Sequence, residues 1–314
     1  MSEFSKIVIV GTGAIGGYYG ARLARSGVDV RFLARSDSAA LHERGLHVTL
    51  PDQAWRVYPI NVYTASADIG SADLVVVSLK ATANGALGEL LPPLLHERTA
   101  ILTLENGLGS DELLARQFGE ERVIGGLCFI AVNRTAPGEI HCIHPGSISL
   151  AEFGRPATPR LVELAGLFLG AGVQANTSDN LAELRWKKLV WNIPFNGLSI
   201  AAGGVTTDRI LKDEGLEAEV RALMAEVIGA AAKLGHKIPL SFIDHQVQIT
   251  RPMGPYKPSS LIDYLAGREV EVEAIWGEPL RRAQAAGAEM PRLAALYERL
   301  KTLTSKETPP LGRA

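Results

Sequence analysis

The run Gly11-Thr12-Gly13-Ala14-Ile15-Gly16 follows directly on the apolar stretch Lys6 to Val10 (KIVIV) and opens a segment with helical spacing. A strand that ends in glycine and turns at once into a helix leaves few folds open. Gly11 permits the tight turn, Gly13 lets a pyrophosphate approach the backbone, and Gly16 lets the helix pack on the strand. The N–H groups around the helix start, at Thr12, Ala14 and Ile15, then serve the phosphates. A lone GxGxxG is weak evidence. Here a strand precedes it, a helix follows, and a second apolar run ends at Ala34, which is the context a dinucleotide site requires.

Further apolar runs follow: Asp29 to Ala34, Asp73 to Leu79, Ala100 to Leu104 and Arg122 to Gly126. Continuous apolar runs of this length suit strands buried on both faces. Tyr18 to Ser26 and Asp111 to Phe118 between them have helical spacing. The alternation predicts an α/β fold with a doubly wound parallel sheet. His47 to Tyr63 and Gly138 to Phe153 break the rhythm and read as antiparallel insertions. From about Ser178 helical stretches dominate: Asn180 to Ala202, Glu214 to Leu234, Ile275 to Ala286 and Arg292 to Leu303. Two domains are expected, 1–177 binding the cofactor and 178–314 all-helical. Arg251 to Pro258 reads as a loop, and the tail from Ser305 to Ala314 as mobile.

Composition excludes several classes. With 32 basic against 34 acidic residues the net charge is −2, so nothing points to nucleic acid or an anionic membrane surface. Two cysteines, Cys128 and Cys142, form no CxxC pair, and a cytoplasmic location is the default. No apolar run approaches the ~18 residues of a membrane span, and the N-terminus does not read as a signal peptide. His141 and His144 lie three apart on an expected strand and so point to opposite faces, a poor metal site.

The end of the second strand discriminates between cofactors. An acid about 20 residues past the glycines would take the ribose hydroxyls of NAD. Here Ala34 stands in that place and Arg35 follows. A guanidinium suits a 2′-phosphate, so NADP(H) is expected. Asp37 comes too late for the ribose role. Lys80 and Asn106 close two other strands, at the edge where ligands of such sheets bind, Lys80 as a candidate for the cofactor and Asn106 for both cofactor and substrate.

In RWKKLVWNIPFNG, residues Arg185 to Gly197, the side chains of Lys188, Asn192 and Asn196 recur every four residues among apolar neighbours. They share one helix face. Burying amides and an ammonium without partners is costly, so the row should face a wet cleft between the domains. Lys187 points about 100° away and reads as a surface residue. Pro194 leaves the carbonyl of Val190 without its helical donor. Later, Glu269, Glu271 and Glu273 alternate, and the question is whether one turns inward to meet Lys188.

Together these segments resemble the ketopantoate reductases (2-dehydropantoate 2-reductases), NADPH-dependent enzymes with an N-terminal Rossmann domain and a C-terminal helical domain. The motifs are GTGAIGG, LK at 79–80, ENGLG at 105–109, WKKLVWNIPFN at 186–196 and PSSLID…GREVEVE from 258 to 273. The resemblance implies that Lys80 and Asn106 line the cofactor cleft and that Lys188 is the catalytic lysine. It puts Asn192 and Asn196 on the substrate, Ser259 on its carboxylate, Glu271 in a functional role and Arg35 on the 2′-phosphate. It also implies reduction of 2-dehydropantoate to pantoate, in pantothenate biosynthesis. The chain departs from the family pattern at Thr206, where an asparagine is common, at Ala81, Thr82 and Ala83 after the lysine, and at Gly197, where proline is frequent.

The mechanism expected is hydride transfer to the C2 carbonyl of a small 2-oxo acid, with Lys188 as general acid and domain closure excluding water. Alternatives are an NADPH-dependent reductase of another oxo acid or imine, and a non-catalytic NADP(H)-sensing protein. The apolar C-terminal helices could support a homodimer.

Overall fold

The computed structural model describes residues 3–305; the expectation for the tail falls, past Ser305, outside the described residues. In chain order the strands are β1 (Lys6–Val10), β2 (Asp29–Leu33), β3 (Leu46–Thr49), β4 (Ala54–Val57), β5 (Asn61–Tyr63), β6 (Leu74–Val77), β7 (Ala100–Thr103), β8 (Val123–Ala136), β9 (Glu139–Glu152) and β10 (Gln174–Ser178). The α-helices are α1 (Ala14–Arg25), α2 (Ser38–Arg44), α3 (Leu87–Leu90), α4 (Ser110–Phe118), α5 (Pro159–Gly170), α6 (Leu181–Ala201), α7 (Thr207–Lys212), α8 (Glu214–Lys233), α9 (Ser241–Thr250), α10 (Ser259–Leu265), α11 (Glu278–Ala285) and α12 (Pro291–Thr304). A π-helical turn, Glu273–Gly277, leads into α11.

The chain divides into two compact units. The first comprises residues up to Glu105 with Ser110–Leu181; the second comprises Asn106–Gly109 with the chain from Ala182 onward. The short insertion 106–109 was not foreseen from the sequence.

In the first unit a single ten-stranded sheet runs β4-β3-β9-β8-β7-β6-β1-β2-β5, with β10 also on β9. The α/β class is as expected, and the sheet is mixed rather than purely parallel. β4 runs antiparallel to β3, and β9 to β8, while the other pairs are parallel. The two segments expected as insertions are therefore integral to it: β3 joins β9 in parallel, and β5 extends the sheet beyond β2.

Alternation explains the central strands. Ile7 and Ile9 face one core, with Leu74, Val76 and Leu102. Val8 and Val10 face the other, with Val75, Val77 and Ile101. Both faces are covered, so the strands read as unbroken apolar runs. At the far end of β9, buried Glu152 accepts hydrogen bonds from Arg155, Thr158 and Arg160. Burial alone would raise its pKa; those donors outweigh it and hold the carboxyl below its usual range.

The second unit is helical, with one core drawn from α6 to α12 and Leu108. α6 runs unbroken across Pro194. Trp276 donates its indole N–H to the Ile193 carbonyl at 3.0 Å, anchoring the helix beside the proline. A Cβ on Gly197 would lie 2.7 Å from Leu296 Cδ2 and 2.9 Å from Trp276 Nε1. Close packing thus accounts for glycine at this departure from the family pattern. No helix among the described residues is long and apolar enough to cross a membrane.

Candidate active site

Two groups of candidate residues emerge, one in each unit. In the first, β1, β2 and β6 are parallel neighbours, with Val10 opposite both Leu33 and Val77. The glycine turn after β1, Arg35 after β2 and Lys80 after β6 therefore leave the sheet at one edge, the carboxyl ends of the strands, where ligands of such sheets bind.

The glycines differ in what surrounds them. Gly11 has φ +97°, and its carbonyl accepts the Ser78 hydroxyl at 2.6 Å. A Cβ on Gly16 would meet the Gly11 carbonyl at 2.1 Å and Ser78 Oγ at 2.2 Å, so only glycine lets α1 start this close to the strands. A Cβ on Gly13 would meet nothing within 4 Å. That is the open approach a pyrophosphate needs, at a helix start with no acid in its first turn. These residues fit a dinucleotide. Thr12 is buried; Ala14 and Ile15 begin α1. Arg35 is exposed, and Lys80 is half-buried ahead of the 3-10 turn Ala81–Ala86. That turn contains the departures Ala81, Thr82 and Ala83. Ser78, which locks the glycine turn, carried no signal in the sequence.

In the second unit four separated segments meet. Lys188 Nζ donates to Asn106 Oδ1 at 2.7 Å across 82 positions of sequence. Asn192 and Asn196 are buried on the same helix, and Lys188 is half-buried. Asn196 Oδ1 accepts the Ser260 backbone N–H at 2.9 Å, with the Ser259 hydroxyl a long 3.5 Å away. Its oxygen therefore holds the start of α10, and with it Ser259. Lys187 lies off this row and pairs with Glu183 at 2.7 Å.

Of the three alternating acids, Glu271 alone is buried; Glu269 and Glu273 are exposed. Glu273 instead accepts hydrogen bonds from Arg281 and Tyr297. The π-turn begins two residues past Glu271, and its Ala274 carbonyl accepts the Leu108 N–H at 2.9 Å. Gly107 lies against that carbonyl with φ +81°; a Cβ there would approach it to 2.2 Å. The main chain of 106–109 is thus docked on the π-turn, and this fixes where the Asn106 amide meets Lys188. Single π-turns inside helical stretches frequently accompany functional sites.

Near the row, Trp191 donates to Thr250 Oγ1 at 2.8 Å and lies 6.4 Å, ring to ring, from Tyr256. Burial pushes the Tyr256 phenol up. Thr206, the residue at the family's asparagine position, donates its hydroxyl to Asp208 Oδ1 at 2.5 Å.

An ammonium held against an amide, on a helix that carries two buried amides below it, can stabilise a developing oxyanion and give it a proton. Comparison with known proteins bears on that chemistry. Residues 7–155 match the family model described as ketopantoate reductase PanE/ApbA, and residues 180–304 match the model for its C-terminal part. A 2-dehydropantoate 2-reductase of Nostoc sp. is 40% identical over 306 residues, covering 96% of each chain. The crystal structure of 2-dehydropantoate 2-reductase from Geobacter metallireducens superposes with a TM-score of 0.93 at 44% identity, covering 95% of this chain and 100% of that one. A ternary structure of D-mandelate dehydrogenase with NADH and anilino(oxo)acetate matches at TM-score 0.86 over 95% and 97% of the two chains. At 22% identity that likeness bears on fold alone. Motif, fold and relatives agree, and the chain belongs to the ketopantoate reductase family.

Proposed function

We propose that this chain reduces the C2 carbonyl of 2-dehydropantoate to give pantoate, a step in making pantothenate, with NADPH as reductant. The observation that carries the reading is the Lys188–Asn106 contact of 2.7 Å at the head of a buried amide row. It is supported by the names of the relatives and by a glycine turn that leaves open space at Gly13.

When bound, the reduced nicotinamide supplies a hydride. Lys188 meets the negative charge that develops on the carbonyl oxygen and gives it a proton, so the ketone becomes an alcohol. The lysine then regains a proton from solvent. Asn106 pre-orients the ammonium, which lowers the reorganisation needed when charge develops. Asn192 bonds the substrate. Asn196 acts by holding α10, which presents the Ser259 hydroxyl to the substrate carboxylate. Glu271 orients the lysine or the substrate hydroxyl. Gly11 to Gly16, Thr12, Ala14 and Ile15 hold the pyrophosphate, Arg35 takes the 2′-phosphate, and Lys80 lies along the cofactor.

A second reading, reduction of another small oxo acid, is favoured by one observation. The Thr206 hydroxyl is engaged by Asp208, so it is not the free amide of the common family pattern. NADPH oxidation by the purified protein decides between them, with ketopantoate run against other 2-oxo acids. Ketopantoate should be turned over best. Preference for another acid would select the second reading, and tight NADPH binding without turnover on any acid would select a sensing role.

A further inference from the structure

We infer that Arg134 sets this chain's preference for a 2′-phosphorylated cofactor by neutralising Asp37, an inference resting on the assignment of Arg35 to the 2′-phosphate. Arg134 stands on β8 opposite Ile140, where the β8–β9 ladder shifts register before Ala136. Such irregularities re-aim a side chain. Its Nη1 lies 2.5 Å from both carboxylate oxygens of Asp37, 97 positions away in sequence. The Asp37 side chain is only 4% exposed, whereas that of Arg134 is 36% exposed.

The turn that carries Arg35 is built around this carboxylate. Ser36 donates its hydroxyl to Asp37 Oδ1 at 2.9 Å, and the Ser38 hydroxyl reaches the Arg35 carbonyl at 3.4 Å. The Asp37 carbonyl accepts the Leu41 N–H at 3.0 Å and so starts α2. A buried carboxylate two residues past a phosphate-binding arginine has two adverse effects. Unpaired, it is costly to bury. It also repels a phosphate carrying close to two negative charges. Arg134 removes both. Arg134 is thus a positioning residue that acts through Asp37, and NADH, which lacks the phosphate, does not report the repulsion.

The test uses the full-length protein. Dissociation constants for NADP+ and NAD+ are measured by calorimetry, and kcat/KM for NADPH and NADH with one oxo acid. Arg134→Gln should lower the NADP+ to NAD+ selectivity by about tenfold, the scale of one charge-assisted contact. Arg134→Lys should retain most of it. The double variant Asp37→Asn with Arg134→Gln should recover it, because the charge needing neutralisation is gone. Asp37→Asn alone, with Arg134 intact, should keep or raise it, and remains informative if Arg134→Gln does not fold. Selectivity within twofold of the parent in Arg134→Gln would overturn the inference. So would a double variant as unselective as Arg134→Gln, or a loss of selectivity in Asp37→Asn. Arg35→Ala runs alongside: if it leaves selectivity unchanged, the phosphate assignment fails. If it lowers selectivity while Arg134→Gln does not, this inference fails alone.

Discussion

The glycine turn after β1 and the lysine row on α6 are built on opposite plans. The turn is nearly all main chain, six consecutive residues whose work is done by φ angles, N–H groups and missing side chains. The row is nearly all side chain, and its parts come from four stretches: Asn106, Lys188 to Asn196, Ser259 with Ser260, and Glu271. A main-chain site is specified locally and tolerates change everywhere except at its own backbone. A side-chain site depends on every segment that aims a member of it. Substitutions should therefore separate the two plans.

The largest effect is expected at the head of the row. Lys188→Ala should lower kcat by about 10²–10⁴-fold, the range of general acid catalysis, with cofactor affinity unchanged. Lys187→Ala, one residue away and paired with Glu183, should leave kcat alone and change stability by less than about 0.5 kcal/mol. Steady-state kinetics and thermal melting of both variants check the pair. Equal losses of kcat would mean the row is not what distinguishes these lysines.

Next comes a change with no side chain in the chemistry. Gly107→Ala pushes a methyl into the Ala274 carbonyl and shifts Asn106. A displacement near 1 Å can cost about 10²-fold in rate. The loss should appear in kcat with the affinity for NADP+ retained. If cofactor affinity fell instead, Asn106 would serve the cofactor before the lysine.

The smallest effects sharpen the contrast inside the turn itself. Gly16→Ala would collide with the Gly11 carbonyl and Ser78 and should cost about 1–3 kcal/mol of stability, as overpacking does. Gly13→Ala meets no protein atom within 4 Å. It should melt like the parent yet bind NADP+ more weakly, because its methyl occupies the phosphate approach. Calorimetric titration and melting of the two variants give the comparison; equal melting temperatures would refute the packing role of Gly16.

The same difference in plan governed what could be read in advance. β1, the glycine turn and α1 announce themselves because burial on both faces and a local turn leave their marks in adjacent residues. α6 and the burial of Glu271 between exposed Glu269 and Glu273 were visible as periodicity and as a question. β8 was foreseen only as far as Gly126, yet it runs to Ala136. Its last turns of ladder carry Asn133, Arg134 and Thr135, and backbone pairing asks nothing apolar of them. The helix expected from Ile275 is a π-turn followed by α11 beginning at Glu278. One inserted residue changes a hydrogen-bond ring without changing composition. The pairing of Arg134 with Asp37 gave no signal, since two opposite charges 97 positions apart are unremarkable until the sheet brings them together.

One consequence of the chain's path remains. The second unit takes Asn106–Gly109 out of the middle of the first unit's sequence and only later receives the rest, from Ala182. The amide that steadies the lysine is therefore encoded far upstream of it. A gene fusion or recombination at the 181/182 joint would transplant Lys188 and leave its hydrogen-bond partner Asn106 to the other parent. Chimaeras among relatives should stay active only when the upstream parent carries the residue-106 asparagine and its glycine and the downstream parent carries a π-turn that receives them, so inheritance of this reductase is indivisible at the point where its architecture looks most modular.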